Sequence, residues 1–334
     1  MPVEYEFLVR GLLANRHLQT LLSSSKYRRR KLQAKAAGLL SVSQKWILDG
    51  GNGVRLLAYY SPQKAPKALA VLLHGWEGNS ESNYVMATAA TLFNAGFDVV
   101  RLNFRDHGDS HHLNDGLFHS LLIDEVVSAI ADASNRIPAR PIFLAGFSLG
   151  GNFALRSALK APASNIPLQH VIAVSPVIRP HDVLDALESG LPIYEYYFNR
   201  KWENSLRQKQ SLYPHLYDFK DWYNERRIRA RTEALVLSHT PCTTLEEYLA
   251  GYSLAGEGLS GLQVPTTIVA AADDPVIPVK EIKNLPETKY LQRVYTEHGG
   301  HCAFLLNWKM DSWIEKFILQ RFELALQEME TKDE

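Results

Sequence analysis

The sequence predicts an α/β fold: a mostly parallel, twisted sheet with helices on both faces and one helical insertion. Three observations predict it. From residue 69 onward, short continuous apolar runs alternate with stretches of helical spacing, the rhythm of parallel strands joined by right-handed helical crossovers. A Gly-x-Ser-x-Gly segment stands at one strand-to-helix junction, at residues 146–150. The rhythm breaks between residues 177 and 261, where tyrosine, tryptophan, arginine and glutamate replace strand-like runs, and then resumes.

Residues 1–45 read as an arm ahead of the sheet. Residues 7–22 have roughly helical apolar spacing, and residues 26–31 are strongly basic. The pattern predicts a helix packed on the main domain with a solvated basic end, in preference to a membrane or phosphate site. Two strand-like runs follow, at 46–48 and 54–60. Asp49-Gly50-Gly51-Asn52-Gly53 separates them with residues that tolerate positive φ, so a hairpin is expected.

The core is expected over residues 46–176 and 262–334. Leu69-Ala70-Val71-Leu72-Leu73 suits a strand covered on both faces. A helix at 84–94 ends at Gly96, a strand runs over 97–104, and a helix over 121–133. Strand 141–145, helix 149–159 and strand 171–174 come next. The stretch 177–261 is too long and too aromatic for a plain loop and reads as a helical cap insertion. Strands at 266–271 and 290–295 and an amphipathic helix over 307–328 close the chain.

Bulk properties limit the function classes. Lys plus Arg and Asp plus Glu are 36 each, so a net charge of zero gives no sign of nucleic-acid binding. The two cysteines, Cys242 and Cys302, cannot build a disulfide framework or a zinc site. Glu4 and Glu6 stand where a signal peptide would be basic, and no apolar run reaches the length of a membrane span. A cytoplasmic location is therefore expected, with at most peripheral membrane contact. No Gly-x-Gly-x-x-Gly follows the first core strand, which argues against a dinucleotide enzyme.

The chemistry centres on Gly146-Phe147-Ser148-Leu149-Gly150. The chain must reverse sharply at Ser148, and a side chain at either glycine would strike neighbouring backbone. A serine hydroxyl is a weak nucleophile, so it needs a base and a group to orient that base. The expected chain order is nucleophile, acid, histidine, each after a successive strand. Asp273 and Asp274 follow strand 266–271, and His298 and His301 follow strand 290–295. The turn begun by Pro275 favours Asp274, and Gly299-Gly300 favours His301 by freeing the backbone before it.

A tetrahedral oxyanion also needs fixed N–H donors. One is expected from the backbone of Leu149, directly after the nucleophile. The other is expected from Trp76, within His74-Gly75-Trp76-Glu77-Gly78 after the first core strand. The histidine-rich segment 105–119 has residue types that suit a metal but no diagnostic spacing, and it reads as a hydrogen-bonded loop beside the site. Neither a metal nor a cofactor is required by this scheme.

These motifs resemble the α/β-hydrolase superfamily and, within it, the YheT-like esterase branch related to the abhydrolase-domain lipases of animals. The resemblance spans nearly the whole chain. It rests on Asn15-Arg16-His17-Leu18-Gln19-Thr20, His74-Gly75-Trp76-Glu77-Gly78, Ser82-Asn83-Tyr84, Asn103-Phe104-Arg105, the segment from Gly146 to Asn152, Ala272-Asp273-Asp274-Pro275 and Gly299-Gly300-His301. It implies Ser148, Asp274 and His301 as a triad, a cap inserted before the acid-bearing strand, and short- to medium-chain acyl esters as substrates. Two places depart from the branch's pattern: Arg16 replaces a proline, and Asp106-His107-Gly108-Asp109 follows Arg105 where a glycine is usual. An acyltransferase or thioesterase using the same triad, or an idle binder, is the alternative.

Overall fold

In a computed structural model that describes residues 7–137 and 140–333, eight strands form one sheet in the order β1-β2-β4-β3-β5-β6-β7-β8. They are β1 (Gln44–Asp49), β2 (Arg55–Ser61), β3 (Leu69–Leu73), β4 (Asp98–Leu102), β5 (Ile142–Phe147), β6 (Leu168–Val174), β7 (Thr266–Ala271) and β8 (Leu291–Thr296). The hairpin β1-β2 is antiparallel, as is the pairing of β2 with β4, and every later pairing is parallel.

The strand β3 shows why the sheet needs helices on both sides. All five of its residues are buried, and alternate side chains enter separate cores. Leu69, Val71 and Leu73 join a core with Ile130 and Phe153, on helices α4 (Ile123–Arg136) and α5 (Leu149–Lys160). Ala70 and Leu72 join another with Leu39, Ala89 and Phe322. Those three lie on α2 (Lys26–Ser41), α3 (Asn83–Asn94) and α11 (Trp313–Asp333).

Between β6 and β7 the chain makes a helical excursion with four α-helices. These are α6 (Pro180–Ser189), α7 (Pro192–Leu212), α8 (Ile228–His239) and α9 (Leu245–Gly251). Part of it shares the first core through Leu184, Tyr194 and Leu249. The rest has a core of its own, where Trp202, Leu206, Phe219 and Trp222 pack together. A short α10 (Lys280–Lys283) follows β7.

The arm departs from expectation. Residues 1–6 lie outside the described residues. The rest is a 3-10 turn at Gly11–Ala14, then α1 (Arg16–Ser23), then α2, rather than one helix with a basic tail. Two caps explain the break: Asn15 accepts the N–H groups of His17 and Leu18, and Ser25 accepts that of Arg28. The basic run opens α2, and Arg28 within it is fully buried, paired with Glu315 at 2.6 Å. The final helix starts at Trp313, not near residue 307, because Asn307 instead binds Lys309 and Asp311 in a turn.

Candidate active site

The strand β5 ends at Phe147 and α5 begins at Leu149, so Ser148 alone makes the turn. Its backbone sits at φ 56°, ψ −120°, a region costly for any residue with a side chain and held only by surrounding structure. A Cβ on Gly146 would lie 2.1 Å from the Gly150 carbonyl oxygen, and one on Gly150 would lie 2.2 Å from that of His74. Both neighbours are backbone and cannot step aside. The Ser148 N–H donates to Val174 O at 2.9 Å, which ties the turn to β6.

The ends of β7 and β8 deliver the partners. Asp274 Oδ1 accepts the N–H groups of Val276 and Ile277 at 2.8 and 2.9 Å. The turn at Pro275 thus points the carboxylate inward, and its two oxygens lie 3.2 and 2.9 Å from His301 Nδ1. On the other side of the ring, His301 Nε2 lies 3.0 Å from Ser148 Oγ. This pattern assigns the proton to Nδ1 and leaves Nε2 to accept from the hydroxyl. Burial disfavours the His301 imidazolium, yet the charge and hydrogen bond of Asp274, with a contribution from Cys302, raise its pKa well above the usual histidine value.

The neighbouring pair stands apart from Ser148. Asp273 Oδ1 accepts the Gly300 N–H at 2.9 Å, and its other oxygen faces His298 Nδ1 at 3.4 Å. Burial raises the Asp273 pKa. Asp273 and His298 therefore brace the loop that carries His301.

The two segments expected to supply oxyanion donors flank Ser148. Leu149 is the first residue of α5, so its N–H has no acceptor within the helix. Gly75, just before Trp76, approaches so closely that a Cβ there would lie 3.1 Å from Ser148 Cβ. The loop is pinned around it. Gly75 N–H donates to the Tyr84 hydroxyl at 2.9 Å, and His74 Nδ1 donates to Gly75 O at 2.7 Å. Burial lowers the His74 pKa to about 4, so its other nitrogen stays unprotonated and accepts the Phe104 N–H.

Two cavities meet at Ser148. One, of about 230 Å³, opens past Thr20, Leu21, Arg29, Tyr194, Tyr197 and His301. The other, of about 90 Å³, is walled by apolar side chains of the core and the excursion, among them Leu149, Val183, Leu187, Leu235, Val236 and Tyr252.

The histidine-rich segment is a bonded loop. His107 donates from Nδ1 to Arg105 O and accepts the Glu77 N–H at Nε2, and His111 Nε2 lies 2.8 Å from Ser205 Oγ. Burial lowers the pKa of His111 and of His119 to about 4. Asp106 pairs at 2.7 Å with Lys209 of α7, whose ammonium is fully buried and also donates to Asn114 O and Gly116 O. Among the described residues no group of three or more His, Cys, Asp or Glu is placed to hold a metal.

Sequence reasoning missed several residues of the site. Glu77 lines the larger cavity, and burial pushes its carboxyl up to about 8. Lys201 of α7 donates to Glu77 O at 2.8 Å. Thr20 of α1 accepts the N–H of His301 itself at 2.9 Å. Segments 15–20 and 74–78, on which the family resemblance rests, were the available signals for Thr20 and Glu77; nothing in the sequence marked Lys201.

Comparison with known proteins agrees with this architecture. The family described as Serine aminopeptidase, S33 (Hydrolase_4) matches residues 64–302. Similar curated proteins include a monoacylglycerol lipase of Saccharomyces cerevisiae, 24% identical over 76% of this chain and 60% of the relative. Protein abhd-3.2 of Caenorhabditis elegans is 23% identical over 71% of this chain and 64% of its own. The chain thus spans less than two thirds of the length of these two relatives. Among solved structures, an esterase of Pyrococcus furiosus, Pf2001, superposes with TM-score 0.55 at 15% identity, over 86% of this chain and 90% of that one. A serine hydrolase of Cycloclasticus zankles gives TM-score 0.56 at 16% identity, over 84% and 98%. No described helix is long and apolar enough to cross a membrane.

Proposed function

The chain belongs to the Serine aminopeptidase, S33 (Hydrolase_4) family of the α/β-hydrolase superfamily, and from that premise we propose that it is a carboxylic ester hydrolase acting through Ser148, His301 and Asp274. The observation that carries this reading is the unbroken line from Ser148 Oγ to His301 Nε2 at 3.0 Å and from His301 Nδ1 to Asp274 Oδ2 at 2.9 Å. A strained turn, a half-buried base and an orienting carboxylate from three separate loops have no structural need to meet in this way.

In the mechanism, His301 Nε2 takes the Ser148 proton as Oγ attacks the acyl carbon, and the carbonyl electron pair moves onto oxygen. Asp274 holds the imidazole tautomer and stabilises the imidazolium. The backbone N–H groups of Leu149 and Trp76 receive the oxyanion, donors of a kind worth on the order of 10² to 10³ in rate. His301 then protonates the leaving alcohol. Water, deprotonated by His301, cleaves the acyl-enzyme and restores Ser148.

The cavities suggest how the substrate lies. The small apolar one suits a short- to medium-chain acyl group, and the larger one, with Arg29 and Lys201 at its wall, suits the alcohol. In this reading residues 177–261 are a cap over a core of 46–176 and 262–334, with 1–45 as an arm. The name of the lipase relative supports an ester rather than an amide substrate. The two cysteines are free and buried, which supports a reducing, cytoplasmic setting.

A panel of p-nitrophenyl esters from acetate to decanoate tests the reading. Wild type is expected to prefer short to medium chains, and Ser148→Ala to lose roughly 10⁴-fold or more in kcat. Turnover by Ser148→Ala near the wild-type level, or hydrolysis of none of the esters, would overturn it. Product analysis with an added alcohol separates hydrolysis from acyl transfer.

A further inference from the structure

The segment that carries His301 has little regular structure to hold it. Gly299, Gly300, Cys302 and Phe304 all adopt positive φ, at 148°, 56°, 56° and 47°. Such a run cannot form a strand or helix, so its backbone groups need partners elsewhere. Several come from α1, far away in sequence and outside the stretch 64–302 that matches the family.

Three contacts join α1 to this segment. Thr20 Oγ1 accepts the His301 N–H at 2.9 Å and spends its own proton on Arg16 O at 2.8 Å. Its donor role is thus fixed, and a lone pair is left aimed at His301. Gln19 is fully buried and clamps Leu305 twice: Oε1 accepts its N–H at 2.7 Å, and Nε2 donates to its carbonyl at 2.9 Å. Gly300 lies so close to α1 that a Cβ would stand 2.6 Å from Arg16 O and 2.7 Å from Thr20 Oγ1. The arm and the loop therefore share one fit.

We propose that Thr20 and Gln19 are positioning residues for His301, so that the N-terminal arm completes the active site. The inference rests on the triad reading above. The Thr20 bond fixes the backbone of the base directly, and the Gln19 clamp fixes the far end of the same loop. Asn15 caps α1 and so sets the height at which Thr20 stands. On the cap side, His17 Nδ1 lies 2.8 Å from the Tyr194 hydroxyl and holds the same helix against α7.

Thr20→Val keeps the shape and removes the acceptor, whereas Thr20→Ser keeps the acceptor. Thr20→Val is expected to lower kcat on the order of 10-fold with KM unchanged, since small misplacement of a catalytic group is costly. The acid limb of its pH–rate profile is expected to move to lower pH, as His301 loosens from Asp274. Thr20→Ser is expected to stay within twofold of wild type. A purely structural role would lower stability and leave the pH profile in place. Should Thr20→Val fail to fold, Gln19→Met, which cuts the Leu305 clamp, carries the same expectation. Wild-type kcat and pH profile in a folded Thr20→Val or Gln19→Met variant, or equal losses in Thr20→Ser and Thr20→Val, would overturn the proposal. Ser148→Ala assayed in parallel keeps the two ideas distinct: its inactivity beside an unimpaired Thr20→Val would sink the positioning role alone.

Discussion

The indole of Trp76 lies stacked on the ring of Phe198, with 5.3 Å between centroids and 12° between planes. Both side chains border both cavities that meet at Ser148, so the stack is their common wall. Trp202 closes it from the side, edge-on to Trp76 at 5.0 Å. On the proposed reading, a residue of the core loop and two of α7 set how far the acyl chain can extend.

Phe198→Ala is expected to open that wall and shift preference toward longer chains. Each methylene newly buried is worth about 0.8 kcal/mol. Two would raise kcat/KM for an octanoyl ester, relative to a butanoyl ester, on the order of 10-fold. Steady-state kinetics on the two esters measure this, and an unchanged ratio would place the acyl chain elsewhere.

In the proposed mechanism His301 must be neutral to act as base, and its pKa is raised by Asp274. Activity is therefore expected to rise with pH through one ionisation above the usual histidine value of about 6.5. Asp274→Asn is expected to lower that midpoint and to cut kcat on the order of 10⁴-fold. The stability effect has the opposite direction in pH. A histidine with a raised folded-state pKa stabilises the fold fully below its unfolded pKa, and that contribution is lost as pH rises through the raised value. Urea unfolding at pH 5 and pH 9 is expected to show a larger penalty for Asp274→Asn at pH 5.

Lys209 tests what holds the excursion to the core. Burial pulls its ammonium down and pushes the Asp106 carboxyl up, so each charge depends on the other. Lys209→Met would strand a buried carboxylate and the carbonyls of Asn114 and Gly116. The expected loss is about 3–5 kcal/mol in unfolding free energy. Lys209→Met combined with Asp106→Asn is expected to recover part of it, which chemical denaturation can read.

Gly150→Ala places a methyl against the carbonyls of His74 and Leu73, at 2.2 and 2.7 Å. Neither can yield without moving the loop that follows β3. The variant is expected to lose about 3 kcal/mol or more of stability, seen as a lower melting temperature. A stable, active Gly150→Ala protein would mean that the turn is looser than described.

How far the sequence disclosed this architecture depended on the range of the interactions involved. The strands β3 and β7 were legible residue for residue, because a strand buried on both faces is a continuous apolar run bounded by polar turns. The Ser148 turn was legible because its steric demand falls on two glycines within five residues. Arg28 was not: it reads as part of a solvated basic run, and its charge partner Glu315, 287 positions later, makes its burial tolerable. The breaks before α1 and between α1 and α2 were missed because Asn15 and Ser25 act as caps amid residues that also fit one helix. Thr20 and Glu77 fall in segments on which the resemblance rests, but their partners lie in distant loops, so their contacts were not legible.

Active-site labelling tests the central claim most directly. Wild-type protein treated with a fluorophosphonate should gain one adduct, and mass spectrometry should find it on the peptide containing Ser148. Pre-incubation with a short-chain ester should slow its appearance, and Ser148→Ala should gain none. An adduct on another residue, or an unmodified Ser148 in protein that turns over esters, would contradict the account.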